Sequence, residues 1–320
     1  MTDNTYLPEG SRIGTPRNRD YTSSVYGLER ARMDGAILEA MVVKCDSSNF
    51  SLSVDLGVIR GVIPREEVAY SMEGEAIKDI AIITRVGKPV CFKVLQLLRE
   101  EDGITAILSR RAAQMDCMQN ALLSLIPGDV LPARVTHLEP FGAFVDIGCG
   151  IVSLLSVDTI SVSRISHPRD RFYVRQEILA VVKSIDYDTG RIYVSHRELL
   201  GTWEENAARF APGQTVAGIV RSVEPYGVFV ELAPNLAGLA ERKEGVRAGE
   251  RCAVYIKSII PEKMKIKLVL IDSYAADTVP PPLRYDCRAA KETHLDRWCY
   301  SPAVCDKVVE SVFLPASRPG

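Results

Sequence analysis

The sequence predicts an all-β protein built from three small barrels in a row, and three observations lead to that prediction. Two stretches are near copies of each other, EPFGAFVDIG at 139–148 and EPYGVFVELA at 224–233. A weaker third copy precedes them in the chain. Within each copy, apolar and polar residues alternate over short runs. Fixed-order self-similarity indicates a repeated unit, and alternation with period two is typical of strands.

The alignment of the copies extends beyond the opening motif. Residues 128–148 lie over 213–233 without a gap, and 178–195 match 252–269 in pattern. The first copy has the same order in GAILEAMVV, FSLSVDLG and PVCFKVLQLLREEDGITAILS. Each unit has roughly 70 residues and about five short strands, which suits the five-stranded barrel called the OB-fold. Gly142 and Gly227 interrupt the strand pattern, where glycine usually marks a bulge or bend.

The repeats divide the chain into six predicted segments. Good helix formers with apolar Leu199, Leu200, Trp203 and Ala207 at helical spacing predict a helical linker that ends at Pro212. The ends lack periodicity, although two stretches near 294–301 and 306–314 suggest short strands. The predicted segments are an irregular N-terminal extension (1–33), a degenerate first repeat (34–112), a second repeat (128–197), the linker (198–212), a third repeat (213–272) and a C-terminal extension (273–320).

Composition bounds the function. The 320 residues carry a formal net charge of −2, so no overall basic excess points to nucleic acid. No secretory signal and no run of 18 apolar residues is visible, which predicts a cytoplasmic protein without membrane contact. The eight cysteines include no C-x-x-C pair and are expected to be reduced thiols.

Several motifs resemble the ribosomal protein S1 family of RNA-binding domains. FGAFVDIG at 141–148, followed by ID at 185–186 and GRIYVS at 190–195, carries the resemblance. The three-unit layout with LLGTWEEN as connector is similar to a short bacterial member, and LPEGSRIGTP and HLDRWCYSP are similar to the ends of a compact clostridial type. The resemblance covers residues 34–271 and is closest in the second repeat, good in the third and loose in the first.

The resemblance implies a binding face for single-stranded RNA on each barrel. The family uses two aromatic residues of the FGAF turn, a His on the third strand, an Asp, and the Arg of GRI. In the second repeat these positions hold Phe141, Phe144, Ser156 in place of the His, Asp186 and Arg191. In the third repeat they hold Tyr226, Phe229, Glu241, Ile260 and Lys265. In the first repeat only Phe50 survives, since Ser53, Pro64 and Thr105 replace other contacts.

The residue types themselves support such a face. An exposed aromatic ring gives a base a stacking platform that is largely indifferent to sequence, and a nearby Arg or Lys adds a phosphate or cation–π contact. The alternative is that both rings belong to the core. The repetition of the aromatic in EPYGVF favours a surface in use.

Basic residues mark two further stretches as candidate RNA contacts. The densest run, SRISHPRDRFYVR at 163–175, is predicted to form one wall of an RNA groove, with a plain solvated loop as the alternative. Lysines of the third repeat make a similar, weaker case. The cationic or His candidates are Arg164, His167, Arg169, Arg171, Lys183, Lys257, Lys265 and Lys267.

Catalysis and metal binding find little support. The chain has no P-loop, no dinucleotide-binding glycine motif, no nucleophile elbow and no HExxH, and its four histidines are dispersed. Cys287, His294, Cys299 and Cys305 lie within twenty residues, but their irregular spacing does not form a typical zinc knuckle. We therefore expect no enzyme, no cofactor and no metal.

Together these observations predict a protein that binds single-stranded RNA, holding messenger RNA at the small ribosomal subunit in translation. Two alternatives remain open. One is an RNA-binding factor of RNA turnover or transcription that acts away from the ribosome. The other is a protein-docking module without RNA contact, a role that the first repeat fits best because it lacks the aromatic and basic set.

Overall fold

Three closed five-stranded barrels follow one another along the chain, which confirms the predicted all-β class and the tandem OB-type barrels. In the computed structural model, the structure describes residues 6–70, 77–101, 103–275 and 282–313. Residues 1–5, 276–281 and 314–320 of the predicted extensions lie outside that range. The chain divides into two compact units. The first comprises residues 1–125 with 132–134 and 146–152, and the second comprises the remaining residues from 126 onward.

The first barrel has the strand order β1-β2-β3-β5-β4, in which β3 and β5 run parallel and the other neighbours antiparallel. Alternate residues of β1, such as Leu38, Ala40 and Val42, point into the core because successive side chains of a strand face opposite sides. A short helix α3 (Asp79–Ile83) precedes β4, and a longer helix α4 (Arg110–Asn120) follows β5. The strands are β1 (Leu38–Cys45), β2 (Leu52–Asp55), β3 (Arg60–Ile63), β4 (Pro89–Glu100) and β5 (Gly103–Ser109).

Two helices precede this barrel, where the sequence predicted irregular structure. They are α1 (Pro16–Thr22) and α2 (Val25–Asp34). Both helices have a side-chain N-cap. The hydroxyl groups of Thr15 and Ser24 accept hydrogen bonds from the first-turn amides of Asn18 and Gly27, respectively. Leu28 and Ala31 are buried in the core cluster of the first barrel. Because helices this short are marginal alone, that packing stabilises them.

The second and third barrels repeat the same topology. The second has the order β10-β8-β7-β6-β9 and the third β11-β12-β13-β15-β14, each closed by one parallel pair. The strands of the second are β6 (Val130–Glu139), β7 (Gly142–Asp146), β8 (Val152–Ser156), β9 (Glu177–Asp186) and β10 (Arg191–Ser195). Those of the third are β11 (Thr215–Glu224), β12 (Gly227–Ala233), β13 (Leu236–Ala240), β14 (Arg251–Ile260) and β15 (Lys265–Tyr274).

The predicted linker contains a 3-10 turn (Arg197–Leu200) and one short helix, α5 (Trp203–Ala207). A capping box starts the helix, since the Thr202 hydroxyl accepts from the Glu205 amide at 3.2 Å and the Glu205 carboxylate accepts from the Thr202 amide at 2.8 Å. Trp203 is buried in the core cluster of the third barrel, which also includes Val181 of the second. The linker therefore packs as part of the second unit.

The C-terminal extension also packs into that cluster. Strands β16 (Arg297–Cys299) and β17 (Glu310–Val312) pair antiparallel, and Trp298, Tyr300 and Phe313 are buried with the third-barrel core. The carbonyl of Tyr300 accepts a hydrogen bond from the Trp203 amide at 3.0 Å. Both tryptophans of the chain therefore lie in the second unit. No helix within the described ranges is long and apolar enough to cross a membrane.

Candidate nucleic-acid interface

The aromatic-glycine turn has the same geometry in the second and third barrels. A Cβ atom on Gly142 would lie 2.5 Å from the Leu155 carbonyl oxygen, and one on Gly227 would lie 2.5 Å from that of Ala240. Only glycine lets the hairpin approach the next strand so closely. The preceding ring projects from the turn, so that Phe141 is 55% exposed and Tyr226 68% exposed. The repeated motif thus places one ring in solvent at each turn.

A second ring lies beside each of these exposed rings. Phe144 is half-buried on the outer face of β7, because its neighbours in the strand point into the core. The centroids of Phe141 and Phe144 are 6.0 Å apart with an interplanar angle of 87°. Tyr226 and Phe229 show 6.1 Å and 88°. Two barrels therefore carry the same edge-to-face aromatic pair on the outside of the sheet.

Two residues that the sequence reasoning missed extend the face of the second barrel. The His137 ring stacks on Phe144 at 6.3 Å and 27°. Tyr193 lies on β10 between the buried Ile192 and Val194, and it is the parallel register partner of Leu154. The sequence signal for Tyr193 is the strict alternation in GRIYV, which places it on the outer face of the strand.

Asp186 and Arg191 are register partners on β9 and β10. Asp186 accepts hydrogen bonds from the Thr189 hydroxyl at 2.6 Å and from the Asp188 amide at 3.0 Å. These bonds, the Thr189 hydroxyl first, lower the pKa of Asp186. The carboxylate therefore fixes the turn between the strands. Arg191 and Lys183 are exposed, and no ion pair engages either of them within the described residues.

In the basic run at 163–175, some side chains are exposed to solvent and others form hydrogen bonds within the protein. Arg164 and Arg169 are exposed. The Nδ1 atom of His167 accepts from the Arg169 amide at 3.1 Å and from its Nε at 3.2 Å. His167 therefore caps a 3-10 turn (Pro168–Asp170) and is only partly accessible. Three of the four arginines in the run, Arg164, Arg169 and Arg175, are exposed to solvent.

The prediction that Arg171 contacts RNA is wrong, because its side chain is fully buried. Its Nη2 donates to a carboxylate oxygen of Glu231 on the third barrel, and its Nη1 donates to the Asp170 carbonyl at 3.2 Å. Burial lowers the pKa of Arg171 despite the nearby Glu231 carboxylate. Arg221 binds the same carboxylate through Nε at 2.8 Å and Nη2 at 3.1 Å. Arg171 therefore joins the second and third barrels.

The third barrel presents lysines beside its aromatic pair. Phe229 is the register partner of Leu239, and Leu239 is the parallel partner of Lys267. Lys257 and Lys265 are likewise exposed on β14 and β15. In the part of the chain that the structure describes, no carboxylate pairs with any of the three lysines. One ring and one free ammonium group thus share a row across the outer face.

The first barrel lacks the aromatic pair. The Arg65 guanidinium lies 4.8 Å above the centroid of Phe50, and Phe50 packs against the core. Ser53 occupies the outward position on β2 where the other barrels have a second ring. The first barrel therefore has no open stacking platform at the corresponding turn.

The cysteine and histidine candidates of the C-terminal extension have protein partners. Cys287 is buried, and its thiol donates to the Leu199 carbonyl at 3.1 Å. Nδ1 of His294 lies 2.7 Å from a carboxylate oxygen of Asp129. Among the described residues, no group of three or more His, Cys, Asp or Glu side chains has the geometry to hold a metal ion.

The fold and the surface define a protein of tandem OB-type barrels, two of which present paired aromatic rings and cations. Residues 124–197 match the S1 RNA binding domain family. The chain is 36% identical over 240 residues to the small ribosomal subunit protein bS1 homolog of Bacillus subtilis (strain 168), covering 73% of this chain and 60% of that protein. It is 32% identical over 240 residues to the small ribosomal subunit protein bS1 of Staphylococcus aureus (strain COL), covering 73% and 58%.

The chain belongs to the ribosomal protein S1 family, which confirms the resemblance read from the sequence. It spans about three fifths of the length of these relatives. A multidomain protein with nucleic acid binding domains from Streptococcus pneumoniae matches 74% of this chain and 73% of its own at 15% identity. The TM-score of that match is 0.24.

Proposed function

We propose that the chain binds single-stranded RNA through the outer faces of its second and third barrels. The observation that supports this most is the recurrence of one arrangement at two places, Phe141 beside Phe144 and Tyr226 beside Phe229. A core role would not require the first ring of each pair to stand in solvent. Two separate turns present such a ring at the same position, before the second strand of each barrel.

The chemistry of this surface matches an unpaired nucleic-acid strand. Each exposed ring can stack a base of any identity, with about 1–3 kcal/mol per base. Phosphates of the same strand would meet exposed cations of the same barrels. These are Lys183, Arg164, Arg169 and Arg191 on the second barrel and Lys257, Lys265 and Lys267 on the third. Stacking and ionic contacts carry little sequence information, so we propose binding without strong sequence choice.

The test is fluorescence anisotropy of a labelled unstructured RNA with the full chain and with Phe141→Ala, Tyr226→Ala and both substitutions. Each single substitution removes one stacking platform and should weaken binding by about 1–3 kcal/mol. The affinity of the wild type should fall as salt rises, with a log–log slope of about −0.7 per phosphate contact. Both rings are exposed, so the fold should be unaffected.

Tyr26→Ala is the matched control, since its ring is also exposed but lies on helix α2 rather than in a turn of a barrel. It should leave the affinity unchanged. If the two barrel substitutions weaken RNA binding no more than Tyr26→Ala, the aromatic pairs are not the binding surface. A folded wild type that does not bind RNA would favour a docking role instead.

We propose further that the chain acts in the cytoplasm, holding messenger RNA at the small ribosomal subunit during translation. Two of its relatives are named as proteins of that subunit. The chain should co-sediment with isolated small subunits. The double variant Phe141→Ala, Tyr226→Ala should co-sediment equally well although its affinity for RNA is reduced. Binding of RNA without co-sedimentation would favour a factor of RNA turnover or transcription.

We propose the limits 34–112, 128–197 and 213–272 for the three functional repeats.

We propose that the first barrel attaches the chain to the small subunit. In this barrel the Phe50 ring is covered by Arg65, while Ile80 and Ile83 on α3 are exposed. Apolar side chains at a surface suit contact with a protein better than contact with phosphates. Ile80→Asp should reduce co-sedimentation with small subunits and leave RNA affinity unchanged; the opposite pattern would contradict attachment here.

A further inference from the structure

A cationic pocket lies on the third barrel, away from the aromatic pair of Tyr226 and Phe229. It has a volume of about 290 Å³. One row of register partners, which crosses four neighbouring strands, forms its wall. Arg251 is the partner of both Ile219 and Tyr274, and Ile219 is also the partner of Glu231. The end of the linker helix and the segment after the barrel complete the rim with Arg209 and Arg284.

The pocket is positively charged. Arg209, Arg251 and Arg284 are all exposed, and within the described ranges no carboxylate pairs with their guanidinium groups. Glu231 is the acidic residue of the lining. Its carboxylate is already bound by Arg171 and Arg221. Three unpaired guanidinium groups around one depression favour an anion with several oxygens, such as a phosphate.

The pocket also has an aromatic side. Tyr274 is 55% exposed and lies in the lining with Leu200, Ile219 and Pro282. A phosphate alone would not need such a surface, whereas a nucleotide has a base that stacks on a ring. The volume lies at the lower end of the range for small-molecule sites, about 300 Å³. That volume suits a single nucleotide rather than a longer ligand.

The register of the strands separates this pocket from the aromatic pair. Tyr226 lies in the turn between Glu224 and Gly227, which are register partners, whereas the pocket begins at the Ile219–Glu231 pair. Five residues of β11 separate these levels, roughly 17 Å at ~3.4 Å per residue. Glu231, whose carboxylate accepts a hydrogen bond from the buried Arg171, lies in the lining at this end of the pocket. The two features are therefore distinct sites on one barrel.

We propose that this pocket binds one nucleotide, with its phosphate on Arg251 and Arg284 and its base on Tyr274. The ligand is either a free mononucleotide or one nucleotide of an RNA strand, since both offer the same phosphate and base. The pocket is not part of the proposed aromatic surface, so Phe141→Ala and Tyr226→Ala leave it intact. Failure of either proposal is thus separable from failure of the other.

The experiment uses the full chain and two probes, adenosine diphosphate by calorimetry and a labelled oligouridylate by anisotropy. The pocket variant is Arg251→Gln with Arg284→Gln. The control is Arg242→Gln with Arg247→Gln, which removes the same charge from exposed arginines outside the pocket. Loss of two charge-assisted contacts should lower affinity at least about tenfold relative to the control pair. Tyr274→Leu should lower it about fivefold or more.

The two probes identify the source of the nucleotide. A loss confined to the oligouridylate assigns the pocket to an RNA strand, and a loss of adenosine diphosphate binding assigns it to a free nucleotide. Equal affinities of the pocket variant and the control pair for both probes would overturn the proposal. So would a wild-type chain that binds neither probe.

Discussion

The buried contact between Arg171 and Glu231 predicts how the second and third barrels depend on each other. Glu231→Gln keeps the volume of the side chain but removes the negative charge between Arg171 and Arg221. Asp170, with an oxygen 3.5 Å from Nη1 of Arg221, is then the remaining carboxylate of the cluster. Removing one partner of a buried ion pair costs about 3–5 kcal/mol, because an uncompensated charge stays in the interior.

Tryptophan fluorescence during urea unfolding measures this loss selectively. The two tryptophans, Trp203 and Trp298, are both buried in the core cluster of the second unit. With an m-value of about 2–3 kcal/mol/M, the midpoint of the transition should fall by about 1–2.5 M urea. Glu241→Gln is the control, since Glu241 is exposed in the loop after β13. It should change the free energy of unfolding by less than about 0.5 kcal/mol.

A second variant separates the charge effect from a packing effect. Arg171→Met combined with Glu231→Leu removes both buried charges and leaves Arg221 with Asp170, so stability should largely return. A Glu231→Gln midpoint equal to that of Glu241→Gln would refute the reasoning. If the double variant is less stable than Glu231→Gln alone, the contact depends on shape rather than on charge.

Two further predictions concern the second unit. His196 is buried, with Nδ1 3.0 Å from the Ile160 carbonyl oxygen and Nε2 3.0 Å from the Tyr285 hydroxyl, and burial lowers its pKa to about 4. Since the unfolded chain takes up that proton first, near its usual pKa of ~6.5, stability is unaffected above that pH and falls as pH drops towards 4. Between pH 7 and 5 the wild type should lose about 2 kcal/mol more than His196→Gln in urea titrations, and parallel curves would contradict this. Gly227→Ala forces a methyl group against the Ala240 carbonyl and should cost about 1–3 kcal/mol by the same fluorescence assay; an unchanged midpoint would show that the turn can relax.

The repeats made the barrels predictable, because each copy carries its own strand alternation and its own turn glycine. The aromatic pair was also visible, since Phe141 and Phe144 recur as Tyr226 and Phe229 at the same spacing. The two N-terminal helices were not predicted. Their capping hydroxyls are visible in the sequence, but the helices are too short for a period to appear and depend on packing against the first barrel.

The burial of Arg171 does not follow from the local sequence pattern. Within SRISHPRDRFYVR nothing distinguishes Arg171 from Arg169, yet one is buried and the other exposed. The difference comes from Glu231, sixty residues away in the chain. The pocket around Arg251 and Arg284 was missed for the same reason, since strands and segments distant in sequence build it.

The same contact bears on how two weak sites act together. Tandem sites on one strand raise each other's effective concentration, and the gain depends on how well their spacing is fixed. A flexible linker would allow many different distances between the two sites. Here the ion pair of Arg171 with Glu231 and the burial of Trp203 connect the second barrel to the third. A strand held by Phe141 should therefore find Tyr226 at a fixed distance, and Glu231→Gln should weaken RNA binding without touching either ring.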